Sequence, residues 1–204
     1  IKECYETMKF DKAKYITSKN KVDVIISDER LLQLEMLFAS YSDNQAIFNI
    51  FSNITEQLKQ DYDYIIIDTE GSINNTVRGI LNATDYIVAP SKCSLIDTNG
   101  INDLIKIYFI GKRNNPKLEL KKVFFIQVEE RTKVFADALK EFTDFFNSNG
   151  LGLNSNILSK NYVRKDSNIN NAMLENLDII NYKKSSPSST DYKNIANELI
   201  KELK

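Results

Sequence analysis

The chain contains no histidine. That excludes Ser-His and Cys-His catalysis and leaves carboxylates, lysine or a metal to carry any chemistry. Its two cysteines, Cys4 and Cys93, lie far apart without metal-ligand spacing, so they read as packing residues of a reducing cytoplasm. No apolar run approaches the roughly 18 residues needed to span a bilayer, and no signal-peptide pattern is present. There is no excess of either charge: Lys+Arg is 27, Asp+Glu is 28 and the net charge is -1. A globally basic nucleic-acid binder is therefore not indicated, while local basic patches stay open. The six glycines fall at 71, 79, 100, 111, 150 and 152, and none belongs to a Gly-x-x-x-x-Gly-Lys-Ser/Thr phosphate loop.

What is present is a soluble globular composition, 42% hydrophobic and 27% charged over 204 residues, enough for one large domain. Short apolar runs at Val22–Ile26, Tyr64–Ile67, Tyr86–Ala89 and up to Ile126 read as buried strands, the third stopped by Pro90. Helical spacing marks Glu29–Ala39, then a helix through Ile50, Phe51, Ile54 and Leu58 capped by Ser42 or Asp43. Further helices are expected over Ser72–Asn82 with Ser72 as cap, Leu95–Ile110 ending at Gly111, Thr132–Phe146, Asp166–Glu175, and Thr190–Leu203 after the loop Ser185–Ser189. Phe135, Phe142, Phe145 and Phe146 along one helix read as core. Strands of continuous hydrophobicity alternating with helices predict an α/β fold: a mostly parallel central sheet with helices on both faces.

In such sheets ligands bind beyond the carboxyl ends of the strands, and the stretch DYDYIIIDTEGS places Asp68 at such an end. An apolar strand ending in Asp is the Walker B pattern, in which the carboxylate serves Mg²⁺ beside nucleotide phosphates; as a capping residue the same Asp would bond the following turn. Val22–Phe38, Asp61–Ile105, Val123–Leu139 and Ser186–Leu203 together resemble, in order, the ParA family of partition ATPases, the deviant Walker group of P-loop NTPases. The resemblance implies ATP/ADP and Mg²⁺ as cofactors, with Asp68 on the metal, Thr69 sensing phosphates, and Gln127 and Pro187 framing adenine. Glu70-Gly71 stand where the family has Pro-Pro, and Gln127 where it often has Asn or Thr. The family's phosphate loop, its lysines and its catalytic aspartate precede the matched region. No catalytic residue is therefore expected within the chain. The expectation is a single ParA-like ATPase domain over residues 1–204 that lacks its N-terminal strand–loop–helix–strand unit, with the chain, which begins at Ile1, a fragment of a longer parent.

The resemblance further implies a homodimer closed by ATP, non-specific DNA binding through Arg131, Lys160, Arg164 and Lys165, a centromere-binding partner protein, and a cytoplasmic, nucleoid-associated location without membrane contact. Scattered cations suffice for phosphate contact; a solvated surface is the bland alternative. Two other functions stay open: a MinD-like membrane-positioning ATPase, which needs an amphipathic tail, and a non-hydrolysing DNA-binding or scaffold remnant.

Overall fold

The computed structural model describes residues 9–19, 21–27, 36, 44–93, 98–148, 152–153 and 156–203. The chain divides into two compact units, residues 1–85 with 107–118, and residues 86–106 with 119–204. The expected helix over Glu29–Ala39 and the caps Ser42 and Asp43 lie outside the described residues, Met36 excepted.

The first unit opens with a short helix α1 (Lys12–Tyr15), capped by Asp11, and an antiparallel hairpin of β1 (Ile16–Lys19) and β2 (Val22–Ile25). The expected strand is thus present but not buried: every residue of β2 is exposed, because it pairs in a hairpin rather than in a covered parallel sheet. Helices α2 (Asn44–Leu58) and α3 (Asn75–Ala83) pack together. Their apolar stripes bury Ile50, Phe51 and Leu58 on one and Val77, Ile80 and Leu81 on the other. Phe10 and Leu58 anchor a cluster completed by Tyr15, Ile54, Tyr62 and Ile65. Asn74, not Ser72, caps α3, its Oδ1 accepting from Val77 N at 2.8 Å. The cap lies two positions further on than expected, where the asparagine has the reach to the N3 amide.

The segment Tyr64–Ile67 is not a strand. It has no ladder partner among the described residues, and Ile66 is 93% exposed. Apolar residues alone do not make a strand; its backbone groups need a neighbouring chain.

Helix α4 (Thr98–Asn114) runs three residues past Gly111, so this glycine is not a cap. A Cβ there would lie 2.6 Å from Leu118 Cδ2 and 3.1 Å from Leu81 Cβ, so the residue serves close packing. Asn115 closes the helix end, its Nδ2 donating to the carbonyls of Leu81 at 3.1 Å and Thr84 at 2.7 Å.

The second unit is built on parallel strands β3 (Tyr86–Lys92) and β4 (Glu119–Ile126). Pro90 lies inside β3, paired with Phe124, instead of stopping it. β3 pairs on one side only among the described residues, the setting in which a missing amide is tolerated. Isolated parallel bridges Val123–Leu158 and Val128–Arg164 continue the pairing on the other side of β4.

Helices cover both faces of β4, as alternation requires. Phe125 packs on Phe135 and Phe142 of α5 (Lys133–Asn147), with Phe142 and Phe146 buried as expected. Phe124 packs with Ile195 and Leu199 of α8 (Pro187–Glu202). On that same face Lys122, 2% exposed, meets Glu202 at 2.6 Å and Glu198 at 3.1 Å, and donates to Asn156 O at 2.8 Å. Burial works against the charge of Lys122, yet the two carboxylates hold its pKa above the ordinary value. Between lie α6 (Ser167–Leu174) and α7 (Ile179–Tyr182). Helix α8 begins three residues earlier than the sequence suggests, because Ser186 caps it and Pro187 takes the first helical position.

Candidate functional site

Asp68 and Thr69 belong to the first unit and are both exposed. Asp68 makes no hydrogen bond or ion pair with any described residue, so its carboxylate does not cap the turn that follows. The turn is held by its neighbour: Glu70 accepts from Asn74 Nδ2, and Asn74 in turn caps α3. Where the ParA pattern has proline, Glu70 therefore braces the start of a helix. Gly71 has no heavy atom within 4 Å of where a Cβ would stand, so no close packing calls for glycine there. An exposed carboxylate beside a hydroxyl offers hard oxygen donors of the kind Mg²⁺ accepts together with phosphate and water. No group of three His, Cys, Asp or Glu that could hold a metal without such help exists among the described residues.

The remaining expected residues belong to the second unit. Gln127 directly follows β4 and has φ 56, a left-handed conformation costly for a side chain with a Cβ. Arg131, at φ 65, is likewise left-handed. Between them Val128 is fixed by amide bonds, its N donating to Val163 O at 3.0 Å and its O accepting from Lys165 N at 2.9 Å.

Arg131, Arg164 and Lys165 meet in one open cleft of about 350 Å³, together with Glu129 and Glu130. Lys160 is not among them; it lines a separate, mostly apolar pocket of about 340 Å³ beside Phe125, Phe135 and Leu139. The cleft is not a field of free cations. Lys165 pairs with Glu129. Tyr162 donates its hydroxyl proton to Glu130, which raises the tyrosine pKa. Arg164 meets Asp191 in a two-pronged pair, Nε to Oδ2 at 2.8 Å and Nη2 to Oδ1 at 2.7 Å. Asp191 holds the guanidinium further above its ordinary pKa. Arg131 makes no ion pair with a described residue.

Pro187 sits in the first turn of α8. That turn is gripped from two sides: Asp166 accepts from Ser188 Oγ at 2.8 Å, and Arg164 Nη2 reaches Pro187 O at 3.4 Å. Sequence reasoning did not single out Asp166 or Asp191 as functional. Asp191 stands four residues after Pro187 and so on the same helix face, which is the only signal that could have drawn attention to it.

Residues 3–120 match the family model described as AAA domain, AAA_31. An uncharacterized protein of Methanocaldococcus jannaschii is 25% identical over 93% of this chain and 70% of its own length. The sporulation initiation inhibitor protein Soj of Bacillus subtilis is 29% identical over 45% of the chain, and the chromosome-partitioning ATPase Soj of Treponema pallidum 23% over 72%. Those two matches span 36% and 55% of the Soj proteins. Among solved structures, a cobyrinic acid a,c-diamide synthase of Mycobacterium smegmatis with bound ADP and magnesium superposes at TM-score 0.73, with 14% identity, 94% of this chain and 67% of that one. A plasmid partition protein of Borrelia burgdorferi reaches 0.58 with 19% identity, over 90% and 68%. The septum site-determining protein MinD of Pyrococcus horikoshii, complexed with Mg-ADP, reaches 0.62 with 14% identity, over 93% and 69%. These likenesses show an α/β fold, as the element order predicts.

Proposed function

The chain belongs to the AAA_31 family of AAA domains, and from that membership we propose that it forms the larger part of a ParA-type ATPase that moves or positions DNA. Resemblance to partition proteins in sequence and in fold supports this. In this reading residues 1–204 belong to one ATPase domain, and the phosphate loop and catalytic aspartate of the ParA pattern are not among them. ATP closes two protomers into a dimer, the dimer binds DNA without sequence preference, and a centromere-binding partner triggers hydrolysis. The protein works in the cytoplasm, on the nucleoid.

Asp68 carries the proposal. It is an exposed carboxylate without a described partner, directly after an apolar run, within the residues that match the family. It would hold Mg²⁺ there, with Thr69 beside the phosphates. A bound ion of this kind neutralises charge on the terminal phosphates. On the second unit, Gln127 and Pro187 would frame adenine, an amide side chain being able to pair with the base. DNA phosphates would fall to Arg131, Lys160 and Lys165, Lys165 exchanging Glu129 for phosphate. The guanidinium of Arg164 is already engaged by Asp191.

The MinD-like alternative needs a free amphipathic tail. Helix α8 is not such a tail: it is held within its unit by buried Ile195 and by Glu198 and Glu202 on Lys122. Sedimentation with anionic liposomes and with DNA separates the two.

The test of Asp68 is nucleotide binding by the full-length protein in the presence and absence of Mg²⁺. Asp68→Ala should abolish the gain in ATP affinity that Mg²⁺ confers and lower hydrolysis by about 100-fold or more. An unchanged Mg²⁺ dependence would remove Asp68 from the metal site.

A further inference from the structure

Arg164 touches three groups of α8 at once. Besides the two-pronged pair to Asp191, its backbone N donates to Asp191 Oδ2 at 3.0 Å and its Nη2 reaches Pro187 O at 3.4 Å. Pro187 and Asp191 are four residues apart, so one helix face presents both. At its other end Arg164 is anchored by the parallel bridge to Val128, the residue after Gln127. A single residue thus ties the chain just after β4, where Gln127 is left-handed, through its backbone to the first turn of α8, where Pro187 stands, through its side chain.

A phosphate-binding arginine presents its fork to solvent. Here the fork is spent on a carboxylate only 9% exposed. Such a planar, two-pronged pair fixes geometry in a way that a lysine ammonium cannot. Releasing Arg164 toward DNA would leave Asp191 nearly buried without its cation, a costly arrangement.

We propose that Arg164, together with Asp191, is a positioning residue that sets the separation of Gln127 and Pro187 and thereby the base preference of the nucleotide site. The proposal rests on the nucleotide reading above. Arg164 acts through those two residues and does not contact DNA.

The experiment uses the full-length protein and titrates ATP and GTP, in parallel with DNA binding over a series of salt concentrations. Arg164→Lys keeps the charge and loses the fork; Asp191→Asn keeps the shape and loses the charge. Both should weaken ATP binding about ten-fold, leave GTP nearly unchanged, and so narrow the preference for adenine. The salt slope of DNA binding should stay that of the wild type. Because the result is a ratio of two affinities measured on one sample, a partly unfolded variant does not imitate it. Two results overturn the assignment alone: an ATP-to-GTP ratio equal to the wild type in both variants, or a salt slope reduced by about 1, the mark of a lost phosphate contact. Wild-type protein that binds neither nucleotide overturns the function reading and this assignment together.

Discussion

Asp166 is a carboxylate whose partners outweigh its burial. Burial alone would raise its pKa, but the amide of Asn168, the hydroxyl of Ser188 and the remaining donors from the same two residues bring it from 3.8 down to about 2. The folded state therefore binds this proton less readily than the unfolded chain. Its contribution is complete above 3.8 and is lost as pH falls toward about 2. Denaturant titrations of the wild type and Asp166→Asn should differ near neutral pH and converge as the pH is lowered through that window. A gap that persists at the acid end would mean the carboxylate's charge is not what matters. The helix beginning at Asp166 was legible in the sequence, although the structure makes Asp166 its cap rather than its first residue. The second task of Asp166, on Ser188 across 22 residues of chain, was not legible. The same holds for Arg164 and Lys165: a sequence displays cations, but their partners Asp191 and Glu129 are chosen by the fold.

Helix α4 shows the same limit one scale up. A glycine at the end of an apolar-periodic run reads as a C-cap, yet Gly111 lies inside the helix, against Leu118 and Leu81. Replacing a mid-helix glycine with alanine normally stabilises by about 1 kcal/mol. Here the added methyl meets Leu118, which is 0% exposed, and the Cβ of Leu81. Overpacking of this kind costs about 1–3 kcal/mol. Gly111→Ala should therefore lower the melting temperature, measured by circular dichroism; a higher one would mean the two leucines yield freely. Helices α2 and α5 were legible because their apolar residues repeat at the helical period and bury one face. Tyr64–Ile67 was misread because a strand is a relation between two chain segments, and composition describes only one.

For the molecule as a whole, the alternation of apolar runs with amphipathic stretches was enough to predict an α/β fold, and β4 with α5 on one face and α8 on the other is that pattern in miniature. Division into two compact units was not legible, since no linker composition marks it. Of the candidate site, the residue types could be read in advance; the cleft joining Arg131, Arg164 and Lys165, and the separation of Lys160 from it, could not.

The hairpin β1–β2 and the segment after Tyr62 hold Val22, Val24, Ile25, Ile26, Tyr64 and Ile66 open to water. Solubility in the test tube should follow from that strip. Attraction between apolar surfaces weakens on cooling and strengthens with salts such as sulfate, and an uncovered strand edge invites pairing with another copy. The 204-residue chain should sediment as a monomer when cold and dilute. It should self-associate as it is warmed or as ammonium sulfate is added, and Ile66→Lys with Val24→Lys should suppress that association. Sedimentation velocity that is indifferent to temperature, salt and both lysines would show the strip to be harmless. If it is not, precipitation by sulfate and clarification on ice become properties of one short hairpin and of the segment that carries Tyr64 and Ile66.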